Sequence, residues 1–264
     1  MCNRYVTPDE AAIEREWHIG GRNPVRWWDE TVFPRGKGVF IRRAIHDASY
    51  SRELVVGQWG LIPHFAKTAK LAYSTNNARS EELAAKPTYR TPWAKGQRCI
   101  IPASSFDEPV WGTGKNTWWR FRRADGAPWG LAGLWATWTD HATGEVHESY
   151  TMLTINADDH PVMRHMHKPD PKLPADQQDK RSVIAIEAGD PPRDLDGAIV
   201  KRVCTRDELR LMIKLPGNVV FDAAPVAWSP HAAWCCTSRP RCIHPHRAPC
   251  ARSPPSGTVH GRRR

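Results

Sequence analysis

The chain has 264 residues, 40% of them hydrophobic and 25% charged, with 23 prolines and 13 tryptophans. That composition supports one ordinary domain with a real core plus an appendage, and it excludes collagen-like, wholly disordered and membrane-spanning chains, since no apolar run is long enough to cross a bilayer. The net charge of +10 invites a nucleic-acid reading, but residues 231–264 hold seven Arg and no Lys or acid, so they supply +7 and residues 1–230 only +3.

Taken in chain order, MCNRYVTPDE has neither a basic n-region nor an apolar h-region, so no secretory signal is expected and the chain reads as cytoplasmic. Thr7-Pro8 opens a helical stretch over 9–15, and further helices are predicted over 80–85, 160–167 and 207–213, the last with apolar residues at helical spacing. β-prone runs bounded by Gly, Pro, Asp or Asn predict strands over 53–59, 98–106, 117–122, 130–138, 150–156 and 181–186. Short strands at fairly regular intervals with few helices predict an α+β class, a β-rich single domain with antiparallel sheets. No internal repeat and no phosphate-binding glycine loop is visible, which argues against nucleoside-triphosphate and dinucleotide enzymes.

The patterned text runs to about Pro225, so residues 1–225 read as the domain and 226–264 as a disordered basic tail. Cys235, Cys236, Cys242, His244, His246 and Cys250 lack the paired two-plus-two spacing of a structural zinc site, and disorder is the preferred reading. Such a tail would add salt-sensitive, sequence-independent affinity for phosphates. The body keeps Cys2, Cys99 and Cys204, which form no disulfide framework.

Cys2 is the first candidate for chemistry. Removal of Met1 would leave a cysteine with a free α-amine, a 1,2-aminothiol whose two nucleophiles have reference pKa values of roughly 8 and 8.5. An aldehyde taken up by the amine as an imine would be closed by sulfur into a five-membered thiazolidine. The alternative is an incidental second-position cysteine. In NNARSEE, Asn77, Arg79 and Glu81 alternate as on one face of an extended segment, an amide to orient a nucleophile beside a guanidinium to hold a phosphate; the alternative is a solvated charged loop. In RCIIPASSFDEP, Asp107 and Glu108 end a strand, and Glu108 matters if it lies near the Cys2 amine. His160, His165 and His167 fall in or beside one short helix. His165 and His167 point in different directions, so a metal site is disfavoured, and no metal or cofactor is expected. His167, at the predicted helix C-terminus, reads either as a general acid favoured by the dipole or as a surface histidine.

In order, MC-x-R-Y at the N-terminus, WGLIP at 59–63, NAR-x-E at 77–81, RCIIP at 98–102 and His167-Lys168-Pro169 resemble the SOS-response-associated peptidase (SRAP) family, over residues 1 to about 225. The resemblance implies a β-rich, barrel-like SRAP domain with a positively charged groove for single-stranded DNA, self-removal of Met1 and covalent cross-linking at abasic sites. It makes Cys2 the cross-linking nucleophile, Asn77 its positioning amide, Glu108 the carboxylate near its amine and His167 the histidine that assists opening of the deoxyribose ring. Arg4, Arg79 and Arg90 would contact phosphates, and Pro34, His64 and Phe65 would form a wedge between bases beside the lesion. The implied partner is single-stranded DNA carrying abasic sites, met by a monomer. Departures from the family text are Asn3 for glycine, Pro109 for a tryptophan whose place Trp111 could take, and the tail. Two rival readings are a cysteine peptidase acting in trans and a non-enzymatic basic nucleic-acid binder driven by the tail.

Overall fold

A computed structural model describes residues 1–19, 28–45, 52–111, 114–123, 126–160 and 162–186 and the strand at 221–226. In chain order its elements are β1 (Arg4–Val6), α1 (Glu10–Trp17), β2 (Thr31–Val32), β3 (Lys37–Arg43), β4 (Arg52–Trp59), β5 (Asn77–Arg79), α2 (Pro87–Ala94), β6 (Arg98–Ala103), β7 (Ser105–Val110), β8 (Thr117–Arg123), β9 (Trp129–Thr139), β10 (Val146–Asn156), β11 (Arg181–Val183), β12 (Ala185–Ile186) and β13 (Phe221–Val226), with single 3-10 turns at Ser80–Glu82 and Met163–His165.

β10, β4, β3, β6 and β9 are hydrogen-bonded in that order, and β9 pairs back onto β10, which closes a five-stranded barrel. β11, β12 and β5 add to its rim. A second sheet of order β13-β8-β7-β1-β2 lies apart from this path. The α+β, β-rich, barrel-like class expected from the sequence is the class observed. Pairing is antiparallel throughout except where β10 runs parallel to β4 and β5.

The core lies between the sheets. Tyr5 of β1 meets Trp59 of β4 edge to face at 5.1 Å, and Phe106 of β7 stacks on Phe121 of β8 at 5.2 Å. Cys2 belongs to the same cluster and is fully buried, although Met1 and Asn3 on either side of it are exposed. Burying each large side chain contributes about 2–3 kcal/mol. Gly38 is required by close approach: a Cβ there would strike the hydroxyls of Tyr5 and Tyr150, which hydrogen-bond to each other in the barrel interior.

Several predicted elements are divided or shortened. The run 98–106 breaks at Ser104, whose N–H donates to Val6 O (2.8 Å), so β6 stays in the barrel while β7 enters the second sheet. The run 181–186 breaks at Ile184, and its two halves pair with β10 and β9. The helix expected over 160–167 is a single 3-10 turn, because His160 Nδ1 accepts from Val162 and Met163 N–H and Met166 turns extended to bridge Val110. The helix expected over 80–85 is likewise one turn, and the longer helix follows it at α2, opened by Pro87. The predicted helix 207–213 lies outside the described residues, as does the tail beyond Val226, the last residue of β13. Among the described residues no helix is long and apolar enough to cross a membrane.

Candidate active site at the N-terminus

Antiparallel register fixes how β1 is seated. Arg4 lies opposite Asp107, and Asp107 opposite Arg120, so three charged residues form one row across β1, β7 and β8. Asp107 is fully buried and accepts from Arg4 Nε and from Arg120 Nε (2.8 Å) and Nη2 (3.0 Å). A buried carboxylate held by guanidiniums costs several kcal/mol to strip of a partner, so this row pins the N-terminal strand. Arg4, expected at phosphates, is 6% exposed and committed to this row instead of standing on open surface.

The same register places the opening residues beside β5. Asn77 Nδ2 donates to Cys2 O at 2.7 Å and Asn76 Nδ2 to the same oxygen at 3.3 Å. The backbone behind these amides is fixed, since Asn76 O accepts from Trp59 Nε1 (2.8 Å) and Met152 N (2.9 Å) and Asn77 O from Tyr89 OH (3.1 Å). Asn76 was missed in the sequence, although the Asn-Asn doublet was the available signal. Asn3 is exposed, with its Oδ1 3.5 Å from Asn76 Nδ2.

Glu108, next to Asp107, is 1% exposed. Its Oε2 lies 2.8 Å from His167 Nε2 and 3.8 Å from the Met1 amine, which itself hydrogen-bonds His167 Nε2. His167 reaches this point because Val110 bridges Met166 and the His167 N–H donates to Pro109 O (2.7 Å). The helix-dipole argument for His167 does not hold: it follows a single 3-10 turn and adopts a left-handed φ of 61°. Its Nδ1 and Asn77 Oδ1 are buried with no hydrogen-bond partner among the described residues.

The Cys2 thiol donates to Arg4 O at 3.3 Å, and burial, followed by the charge of Glu108, pushes its pKa well up. With Met1 in place it is therefore a neutral thiol at neutral pH, not the partly ionised group expected from the free amino acid. An amine, an imidazole, a carboxylate and a buried thiol thus meet at the start of the chain. Among the described residues no group of three or more His, Cys, Asp and Glu is placed to hold a metal ion.

The other sequence candidates spread outward. Pro34 is exposed and lines, with Arg35, Tyr73 and Asn76, an open cavity of about 200 Å³, so it reaches the neighbourhood of Cys2 through Asn76. His64 and Phe65 are exposed and pack edge to face at 5.3 Å, outside that cavity's lining. Arg90 is exposed on α2. Arg79 is also exposed, but its guanidinium pairs with Asp179 and with Glu82 (3.5 Å). Glu81 turns to Arg181, accepting from Nη1 and from Nη2 (2.9 Å). Burial raises the Glu81 carboxyl, but the Arg181 hydrogen bonds outweigh it and hold the pKa down at about 2. Trp111 is half-buried, with Lys168 Nζ 5.7 Å from its ring.

Residues 1–182 match the family described as SOS response associated peptidase (SRAP). The chain belongs to the SRAP family. Within that family it is 34% identical over 141 residues to the abasic site processing protein YoaM of Bacillus subtilis, an alignment that covers 53% of this chain and 60% of YoaM. It is 29% identical over 132 residues to the abasic site processing protein HMCES of Gallus gallus, covering 41% of this chain and 39% of that one. The chain thus spans less than two thirds of the length of these curated relatives. A crystal structure of a Bordetella bronchiseptica protein superposes with a TM-score of 0.70 at 35% identity, covering 86% of this chain and all of that one. A Bacteroides thetaiotaomicron structure at 19% identity and TM-score 0.62 shares the fold.

Proposed function

We propose that this SRAP chain is a DNA-damage-response protein that, once Met1 has been removed, captures abasic sites in single-stranded DNA through Cys2. The observation that carries the reading is the meeting of the N-terminal amine, His167 and Glu108 beside the buried Cys2 thiol. The YoaM and HMCES relatives, both named abasic site processing proteins, support it.

Hydrolysis of the Met1–Cys2 peptide bond by one water releases Met1 as the free amino acid and turns the Cys2 nitrogen into the free α-amine. Asn76 and Asn77 keep the Cys2 carbonyl fixed, so amine and thiol stay presented in one orientation. The amine adds to the aldehyde carbon of the opened deoxyribose and, with loss of one water, gives an imine. Sulfur then attacks the same carbon, its proton passes to nitrogen, and a thiazolidine ring results. His167 and Glu108 move the protons: one is delivered to the ring oxygen as the sugar opens, and one is taken from the amine as it attacks. The same pair run backward would open the adduct, a lyase-like release.

Around this centre Arg90 and Arg79 would meet phosphates, Arg79 by exchanging its carboxylate partners, while Pro34, His64 and Phe65 would stack against bases. The protein would act as a cytoplasmic monomer on its DNA, with residues 1–225 as the working domain. The test is to incubate it with a single-stranded oligonucleotide carrying one abasic site and run wild type, Cys2→Ala and Cys2→Ser on a denaturing gel. A shifted band for wild type that Cys2→Ala lacks is the expected result. No shifted band from protein shown by mass spectrometry to have lost Met1 overturns the proposal.

A further inference from the structure

His167, at φ 61°, stands in the left-handed region of backbone space, which few non-glycine residues enter. Such a residue keeps its place only where its surroundings hold the main chain on both sides. One side is the N–H, which donates to Pro109 O on β7. The other is the carbonyl, and the group that takes it is the side chain of Lys180, whose Nζ donates to His167 O at 2.8 Å.

Lys180 is built to stay there. It is 6% exposed, unusual for a lysine, and its main chain is fixed at the end of β10. Its N–H donates to Asp158 Oδ1 (2.8 Å), and its carbonyl accepts from Ala157 N–H (2.6 Å). Asp158 is itself held by Asn156, through Nδ2 to Oδ2 (3.0 Å). The ammonium therefore joins the barrel, through β10 and the start of β11, to the turn that carries His167. It also closes the base of the proline-rich loop 168–178. That loop is packed separately by Gln178, which bonds Asp170, Leu173 and Pro174.

We propose that Lys180 is a positioning residue for His167, its ammonium fixing the left-handed main chain that turns the imidazole onto Glu108 and the N-terminal amine. The proposal deepens the function given above and rests on it for its kinetic consequence. Lys180 touches neither the amine nor the thiol in the contacts described, so it acts through His167. Without its donor the His167 carbonyl is released, the peptide relaxes toward right-handed or extended backbone, and the imidazole leaves Glu108.

The test compares wild type, Lys180→Met and Lys180→Arg. In the DNA-free protein, the His167 ring resonances, assigned with a His167→Asn variant, are expected to move or broaden in Lys180→Met and to return toward wild type in Lys180→Arg, which keeps a donor of similar reach. With the abasic oligonucleotide, Lys180→Met is expected to lower the cross-linking rate at saturating DNA about tenfold to a hundredfold while the half-saturating DNA concentration stays unchanged. Lys180→Arg should recover most of the rate. A Lys180→Met protein with wild-type ring resonances and wild-type saturating rate overturns the proposal, as does a loss of active fraction alone with the resonances unmoved. Should Lys180→Met not fold, Lys180→Gln, one atom too short to make the same contact, takes its place in both measurements with the same outcomes. If the wild type forms no cross-link, the functional reading fails, and the ring resonances still decide on Lys180.

Discussion

Glu108 Oε2 and His167 Nε2 lie 2.8 Å apart although the residues are 59 positions apart in the chain. The contact follows from the docking of the Met163–His165 turn onto the end of β7, where Val110 bridges Met166 and Pro109 accepts the His167 N–H. Carboxylate and imidazole are thereby held in contact, and on the proposed function they move protons as one unit. Glu108→Gln keeps the shape and removes the charge, so it should slow abasic-site capture about a hundredfold, as should His167→Asn. Because the two act together, the double variant should lose much less than the product of the single losses, which initial cross-linking rates at saturating DNA will show.

Asn77 shares the Cys2 carbonyl with Asn76, so its loss removes one of two donors. Asn77→Ala is expected to cost about 1 kcal/mol of stability in thermal denaturation. Asn77→Asp should do worse in capture than Asn77→Ala, since it turns an acceptor toward an acceptor beside the nucleophile. Equal rates for the two variants would argue against a positioning role for this side chain.

How legible these features were differs by residue. Asn77, Glu108 and His167 could be picked out by residue type and order, and β4, β8, β9 and β10 by apolar text between turn residues. The barrel was harder to see. β3 reads KGVFIRR, with Lys and Arg at its ends, and its burial on both faces comes from closure of the barrel, which local alternation does not encode. β1, β2 and β5 are two or three residues long and exist because longer strands supply their partners. The division of 98–106 between two sheets turns on one tertiary hydrogen bond at Ser104. The resemblance placed Arg4 at phosphates, whereas the register opposite Asp107 makes it an internal ion-pair partner. α2 is not among the predicted helices; Pro87 opens it at a first-turn position, and Pro92 lies inside it.

The Glu81 pair with Arg181 ties the turn after β5 to β11 and carries a pH signature. With its pKa held at about 2, below the ordinary 4.5, Glu81 contributes its full stabilisation above the unfolded value and loses it as pH falls from about 4.5 toward 2. Glu81→Gln should lower the thermal midpoint at pH 7, and the difference from wild type should shrink through that window. Part of the side chain is open to solvent, so added salt should shrink the difference too. A midpoint difference constant from pH 7 to pH 2 would contradict the assignment.

Gly38 offers a packing test independent of chemistry. Gly38→Ala drives a methyl group into the hydroxyls of Tyr5 and Tyr150 and should destabilise the protein by about 1–3 kcal/mol in denaturant titration. Adding Tyr150→Phe removes one of the obstructing atoms and should return part of that loss.

On the proposed function both nucleophiles of Cys2 end on one carbon of the sugar; an open imine has the same mass as the closed ring, so the reactivity of the isolated adduct peptide, followed by mass spectrometry, separates the two. The cross-linked N-terminal peptide, lacking Met1, should weigh one water less than the sum of peptide and deoxyribose fragment. It should take up no hydrogen from borohydride and no alkyl group at Cys2 from iodoacetamide, as a closed thiazolidine requires. An adduct that borohydride reduces, or whose Cys2 is freely alkylated, would show that the amine acts alone and would contradict the role given to the thiol.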